Sequence, residues 1–201
     1  MKNKITLLVV ENRDFIPTEY CKLLSFLAWK RKVYEIRFWH TEGRRAIWHM
    51  RREMIKKALV ESKFTHLLFI DTDVIPKDDD FIDRLLSHNV SMVSGVYYDG
   101  LGRPVNQKNE KRIQFFGNGL MEVDVFSMGF SLIKREVLEK VEYPEPKPAY
   151  KLDADAEFCK EVKKASFPVY TDFGIIGKQL VYIYTDENKI KDFAENSIVE
   201  K

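Results

Sequence analysis

The chain has 201 residues, of which 45% are hydrophobic and 32% are charged. This composition is typical of one large globular domain and excludes a disordered or fibrous chain. Its 33 basic and 31 acidic residues nearly cancel to a net charge of +2, unlike a strongly basic nucleic-acid-binding domain. We therefore expect no nucleic-acid partner.

The first forty residues predict a β-α-β unit. Ile5–Val10 is a strand-favouring run, Pro17 suits the first turn of a helix, and Val33–Trp39 alternates as a second strand. The first apolar run is too short for a membrane span and lacks a cleavage site. We predict neither a membrane span nor a signal peptide.

The two cysteines, Cys21 and Cys159, show no metal-ligand spacing and lie in apolar surroundings. This pattern favours buried free thiols and a reducing compartment. A cytoplasmic protein is therefore the expectation.

A helix rich in arginine and lysine is predicted over residues 45–61, and it includes Arg51 and Arg52. The simplest interpretation of these cations is a solvated helix face. An arginine near the start of this helix would instead suit a diphosphate, because its planar fork matches phosphate oxygens.

The central feature is the stretch Phe64–Pro76, which reads FTHLLFIDTDVIP. Its apolar part predicts an interior strand covered on both faces. The turn after such a strand lies at the carboxyl edge of the sheet, where open α/β folds bind ligands. Asp71 and Asp73 in this turn would be oxygen ligands for Mg²⁺ or Mn²⁺. The same Asp-x-Asp pattern also occurs in ordinary solvated turns.

The remaining pattern predicts one domain over residues 1–184 and a charged C-terminal helix or tail over 185–201. The expected elements are a helix after Asp78–Asp80, a strand at 90–98, a short strand or hairpin within 99–119, an alternating run at 122–133, helices at 134–141 and 153–165, and separate strands at 169–172 and 179–184.

A second group of acids, Asp153, Asp155 and Glu157, opens the helix predicted at 153–165. Acidic residues in a first turn favour helix formation, which is reason enough for their presence. A carboxylate held there could also take the proton of an attacking hydroxyl.

Taken in order, these segments resemble the nucleotide-sugar glycosyltransferases of the GT-A fold, of the family 2-like inverting type. The resemblance covers about residues 5–178. It is carried by THLLFIDTDVIPKDDDFIDRLL, VSGVYY, SMGFSLIKREVLEKV and DADAEFCKEVKKASFPVYTDFGIIGK. It implies an α/β fold with a Rossmann-like, mixed, mostly parallel sheet flanked by helices. The nucleotide-sugar half would span about 1–98 and the acceptor half about 99–184.

The resemblance also implies an activity: inverting transfer of a sugar from a nucleoside-diphosphate sugar to a hydroxyl of a glycan, protein or lipid, assisted by Mn²⁺ or Mg²⁺. The small size is similar to that of glycosyltransferase-like proteins of archaeal viruses, which would place the protein in the host cytoplasm.

The implied site begins with the nucleotide. Glu11, just past the first strand, would lie where the base and ribose enter, and Arg51 or Arg52 would occupy the basic position ahead of the Asp-x-Asp strand. Asp71 would contact the nucleotide or ribose and contribute to the metal site, and Asp73 would hold the metal that bridges the diphosphate.

On the acceptor side, the resemblance makes Asp155 the general base. Two departures stand out: Ala154 replaces the first acid of the family's acidic pair, and Lys178 stands where a histidine often completes the metal site. The ammonium of Lys178 would instead neutralise diphosphate charge. Two alternatives remain open, a GT-A-like nucleotide-sugar-binding protein without turnover and a phosphohydrolase with an aspartate nucleophile.

Overall fold

A computed structural model describes residues 4–9, 18–30, 35–40, 47–61, 63–98, 106–109, 111–113, 117–145 and 154–180. The strands are Lys4–Val9 (β1), Glu35–His40 (β2), His66–Ile70 (β3), Val74–Pro76 (β4), Met92–Tyr97 (β5), Gln107–Lys108 (β6), Lys111–Arg112 (β7), Leu120–Glu122 (β8), Phe130–Lys134 (β9) and Tyr170–Gln179 (β10). The helices are Thr18–Lys30 (α1), Ile47–Glu61 (α2), Phe81–Ser87 (α3), Arg135–Lys140 (α4) and Ala154–Lys164 (α5).

Eight of these strands form one sheet in the order β2-β1-β3-β9-β5-β10-β4, with β8 also paired to β10. Strands β1, β2, β3, β5 and β10 run in one direction, and β4, β8 and β9 run in the other. The mixed α/β class is confirmed. The prediction of a mostly parallel sheet holds for strand direction, but it is wrong for the pairings, since four of the seven are antiparallel. Two of these four pairings arise because β9 inserts in reverse between β3 and β5, and the other two join β4 and β8 to β10.

The sheet separates two hydrophobic layers. Along β3, Leu67 and Phe69 join the layer that contains helices α2, α4 and α5, whereas Leu68 and Ile70 join the layer that contains α1 and α3. Side chains alternate along a strand, so a run that is apolar at every position is buried on both faces. The interior strand predicted from this stretch is thus present.

The end of the chain differs from the prediction. The expected strands at 169–172 and 179–184 are not separated within the described residues, because one strand, β10, runs from Tyr170 to Gln179. Its register against β5 shifts between Thr171 and Ile176, a bulge or irregularity in the stretch that contains Gly174. Residues 181–201, including the predicted C-terminal tail, lie outside the described residues.

The cysteine prediction is half right. Cys159 is a buried free thiol, but Cys21 is exposed on α1.

Among the described helices, none is both long and apolar enough to cross a membrane. The division into halves at residue 98 stays a prediction, although β9 and β10 of the second half lie in the same sheet as β1–β5.

His66 at the start of β3 makes acid stability testable. Burial, followed by the nearby charge of Lys134, lowers the pKa of His66 from 6.5 to about 4. The unfolded chain therefore binds more protons between those values, so stability should fall as the pH drops from 6.5 toward 4. This contribution is at most about 3 kcal/mol.

A substitution that keeps a neutral polar side chain, His66→Gln, should remove this part of the pH dependence. Chemical unfolding of wild type and variant at about pH 7 and about pH 4 measures the difference. His49→Gln is the matched control, because His49 is exposed on α2 and pairs with Glu53. An identical acid-induced loss in wild type and His66→Gln would contradict the assignment.

Candidate functional site

The ends of three central strands meet at one edge of the sheet. Asp71 follows β3, Tyr97 ends β5, and Ser127–Gly129 immediately precede β9. Because β9 runs opposite to its neighbours, its beginning lies beside the ends of β3 and β5. The topology therefore brings chemistry-bearing residues from three parts of the chain to the carboxyl edge of the parallel strands.

The turn after β3 is fixed by backbone hydrogen bonds. The amide of Val74 donates to the carbonyl of Asp71 at 2.9 Å, and the amide of Asp71 donates to the carbonyl of Gly129 at 2.9 Å. A Cβ atom on Gly129 would lie 2.3 Å from Asp71 Oδ2 and 2.8 Å from the Tyr97 hydroxyl. Position 129 thus requires glycine for space, since any side chain would displace the Asp71 carboxylate.

Arg51 is the centre of the site. Its side chain is only 4% exposed, and Nη2 donates to both carboxylate oxygens of Asp71 at 2.8 Å. Nη1 donates to Asp155 Oδ1 at 2.6 Å. Nε is buried without a hydrogen-bond partner among the described residues, the kind of orphaned polar atom that native structures rarely contain.

The guanidinium of Arg51 stays protonated and positively charged. Burial acts to lower its pKa, but the carboxylates of Asp155 and Asp71 outweigh burial and raise the pKa well above its usual value. The guanidinium therefore joins the predicted Asp-x-Asp turn to the predicted base as a permanent cation.

Arg52 lies elsewhere. It donates to Glu142 through Nε at 3.1 Å and through Nη2 at 2.8 Å, and Nη1 lies 3.8 Å from Glu145. Hydrogen bonds from Lys56 and Arg52 lower the pKa of Glu142 to about 2. Of the two arginines left open by the sequence, Arg51 is the one that contacts Asp71 and Asp155.

Asp155 lies in the first turn of α5 and is almost completely buried. Its Oδ1 accepts hydrogen bonds from Arg51 and from the hydroxyl of Tyr143. Its Oδ2 accepts from the Ser127 hydroxyl at 3.1 Å and from the amide of Met128 at 2.8 Å. Four donors thus hold the carboxylate in one orientation.

Two tyrosines complete this network. Tyr97 donates to Ser127 Oγ at 2.5 Å, and Tyr143 donates to Asp155. Burial, followed by the charge of Asp71, raises the pKa of Tyr97. Burial, followed by the charge of Asp155, raises the pKa of Tyr143. Both phenols therefore stay protonated and act as hydrogen-bond donors.

The other predicted residues lie around this cluster or outside the described chain. Asp73 is half-buried in the turn, and its carbonyl accepts from the amide of Leu180 at 2.6 Å. Lys178 is exposed on β10, in register with Ile75 of β4, so its strand runs beside the turn. Glu11 lies outside the described residues.

The predicted metal ligands fit a cation only in part. Within the described residues, no group of three or more histidine, cysteine or acidic side chains is placed to hold a metal ion. Both oxygens of Asp71 already accept from Arg51, which leaves about one acceptor position on each oxygen for a metal ion. One or two carboxylates with phosphate oxygens from a substrate form an ordinary Mg²⁺ site. The residues therefore fit an ion that arrives with a phosphate ligand.

Sequence reasoning missed two members of the site. Tyr143 lies in a proline-rich connection and carries no motif, yet it is 1% exposed and contacts Asp155. Ser127 lies in the quoted segment SMGF, but a lone serine beside a glycine gives no signal of its own. Tyr97 belongs to the segment VSGVYY, and the structure places its hydroxyl on Ser127.

A separate polar cluster lies on the side of the sheet covered by α3. His88 Nε2 is 2.8 Å from Oδ2 of the buried Asp172, and Arg84 Nη2 is 3.8 Å from the same oxygen. The amide of Gly174 donates to Asp172 Oδ1 at 2.7 Å. These contacts tie α3 to β10 and account for the burial of Asp172.

Comparison with known proteins finds similarity in structure only. No protein-family model matches the chain, and no curated protein matches it. The crystal structure of A197 from STIV, a viral protein, matches with a TM-score of 0.63 and 21% identity, over 89% of this chain and 86% of that chain. The crystal structure of GalNAc-T7 with UDP, GalNAc and Mn²⁺ matches with a TM-score of 0.59 and 10% identity, over 90% of this chain and 44% of that chain.

These matches confirm a GT-A-like fold. The matching region is less than half of the GalNAc-T7 chain, and identities this low establish the fold alone. The family, the inverting outcome, the donor and the acceptor stay predictions.

Proposed function

We propose that the protein is a glycosyltransferase that moves a sugar from a nucleoside-diphosphate sugar to an acceptor hydroxyl. The observation that carries this proposal is the Asp71–Arg51–Asp155 cluster at the carboxyl edge of the sheet, in a chain with a GT-A-like fold. The cluster joins a candidate donor-side carboxylate to a candidate base through one guanidinium.

Charge supports a divalent cation as part of the donor complex. Asp71, Asp73 and Asp155 bring three carboxylates to this region, and a bound diphosphate adds more negative charge. Mn²⁺ or Mg²⁺ bound with the donor would offset this repulsion and stabilise the departing nucleoside diphosphate. Asp73 is the first candidate ligand of this cation, and Asp71 is the second.

The protein's own residues supply position and proton transfer. Arg51 fixes the orientation of both carboxylates, and its bidentate contact with Asp71 defines one wall of the donor site. Asp155 is the final acceptor of the proton from the attacking hydroxyl, and inversion follows if that hydroxyl attacks opposite the leaving group. The acceptor is a glycan, a protein or a lipid.

Thermal stabilisation by UDP, GDP and their sugars, with and without Mn²⁺, tests the proposal. A ligand that binds only the folded state raises the melting temperature. Asp73→Ala should abolish the Mn²⁺-dependent part of this shift, whereas Asp155→Asn should keep the shift and lose transfer. Asp79→Ala is the matched control, because Asp79 is an exposed acid of the neighbouring segment.

The outcomes separate the alternatives. An unchanged Mn²⁺-dependent shift in Asp73→Ala would contradict the metal assignment. Binding by wild type without transfer to any acceptor or to water would favour a nucleotide-sugar-binding protein. A covalent phosphate on Asp71 would establish the phosphohydrolase instead.

A further inference from the structure

The carboxylate of Asp155 has no lone pair left for a substrate. A carboxylate offers about four acceptor positions, and among the described residues four donors already contact Asp155: Arg51, Tyr143, Ser127 and the amide of Met128. Asp155 as a whole residue is only 3% exposed. An acceptor hydroxyl therefore reaches Asp155 either by breaking one of these contacts or through one of the donors.

Ser127 is the donor with access to solvent. It is half-buried, whereas Tyr143 and Met128 are buried and Arg51 is 4% exposed. Of the four donors, its hydroxyl is also one of two neutral side-chain O–H groups, and a hydroxyl can gain a proton on one side while it releases another.

The hydrogen bonds that Ser127 makes with the described residues leave one acceptor position free. A serine hydroxyl has one donor and two acceptor positions. Its proton is directed to Asp155 Oδ2 at 3.1 Å, and one acceptor position takes the Tyr97 hydroxyl proton at 2.5 Å. The second acceptor position remains for a hydroxyl that arrives from solvent.

We propose that Ser127 is a catalytic residue that relays the acceptor proton to Asp155 and that Tyr97 positions it. This inference rests on the proposed glycosyltransferase function and deepens it. Ser127 Oγ contacts the acceptor hydroxyl, and Asp155 acts through Ser127.

The acceptor oxygen forms a bond to the anomeric carbon, and the bond from that carbon to the diphosphate oxygen breaks, so the nucleoside diphosphate leaves with the electron pair. The acceptor proton moves to Ser127 Oγ while the Ser127 proton moves to Asp155 Oδ2. The proton returns from Asp155 to water by the same route once the product has left.

Ser127→Ala removes the relay and keeps the rest of the site. We expect kcat to fall about 100-fold or more, the range that proton transfer contributes, while donor affinity stays within about twofold of wild type. Ser127→Thr keeps a hydroxyl and should restore most of the lost rate. Ser91→Ala is the matched control, because Ser91 is a serine whose hydroxyl contacts the distant Glu136.

Tyr97→Phe tests the positioning role. Without the phenol donor the Ser127 hydroxyl can rotate, so kcat should fall about tenfold with little change in donor affinity. Because two protons move together in the relay, wild type should show a solvent deuterium isotope effect on kcat that Ser127→Ala lowers. A purely structural serine would leave this isotope effect unchanged.

Two measurements on all variants test the relay. Calorimetric titration with the nucleotide sugar gives the donor affinity, and turnover with water or a sugar as acceptor gives the rate. A Ser127→Ala rate within about threefold of wild type, with donor binding intact, would overturn the relay and leave the proposed function in place. Loss of donor binding in Ser127→Ala would also overturn the relay, since it would make Ser127 a binding residue. No nucleotide-sugar binding by wild type would overturn the proposed function and the relay together.

Discussion

Replacing Arg51 with methionine should lower the free energy of unfolding by about 3–5 kcal/mol. The variant leaves the buried Asp155 and the largely buried Asp71 without the cation that contacts both of them. Each carboxylate then lies in a largely buried site without its guanidinium partner, and this loss costs far more than the original pair contributes. Urea unfolding followed by circular dichroism measures the loss.

The neighbouring residue provides the control. Arg52→Met removes an ion pair with the exposed Glu142, and solvent screens such surface pairs, so the loss of stability should be much smaller than in Arg51→Met. The two variants make the same chemical change one residue apart on one helix. Equal losses in Arg51→Met and Arg52→Met would show that Arg51 is not the buried centre of the site.

Replacing Gly129 with alanine should damage the donor site directly. The new Cβ would lie 2.3 Å from Asp71 Oδ2, and Asp71 cannot move away freely because Arg51 holds both of its oxygens. We expect a stability loss of about 1–3 kcal/mol and a loss of donor affinity of about tenfold or more. Calorimetric titration with the nucleotide sugar and Mn²⁺ measures the affinity.

Gly119→Ala distinguishes site damage from general destabilisation. Gly119 has a positive φ of 119°, but a Cβ there would meet no atom of the described residues within 4 Å. Alanine should cost about 1–3 kcal/mol of backbone strain and leave donor affinity unchanged. Equal affinity losses in Gly119→Ala and Gly129→Ala would contradict the close approach of Gly129 to Asp71 as the cause.

The periodic patterns of apolar residues predicted the fold well, because burial in the core dictates which positions of a strand or helix are apolar. The apolar run before Asp71 predicted an interior strand, and both faces of β3 are covered. The helix at 45–61 and the helix at 153–165 are present as Ile47–Glu61 and Ala154–Lys164. Pairing direction was not predictable in the same way, because β9 has the same apolar character whether it runs with or against its neighbours.

The site was predictable only where its residues lie in a motif. Asp71 and Asp155 were identified by position, and the structure joins them through Arg51. Adjacent helical positions point about 100° apart, so Arg51 and Arg52 face different surroundings that their residue type does not reveal. No sequence pattern indicated a role for Tyr143, since that role depends on where the fold places helix α5.

Hydrogen exchange with and without a nucleotide sugar and Mn²⁺ tests the central claim most directly, because it locates the ligand. Local opening of the turn after β3 and of the beginning of β9 exposes their backbone amides to exchange with solvent. A bound ligand suppresses such opening. The account predicts protection concentrated in the peptides that contain Asp71–Val74 and Ser127–Phe130. Protection centred instead on the cluster of His88 and Asp172, with none at these two segments, would contradict it.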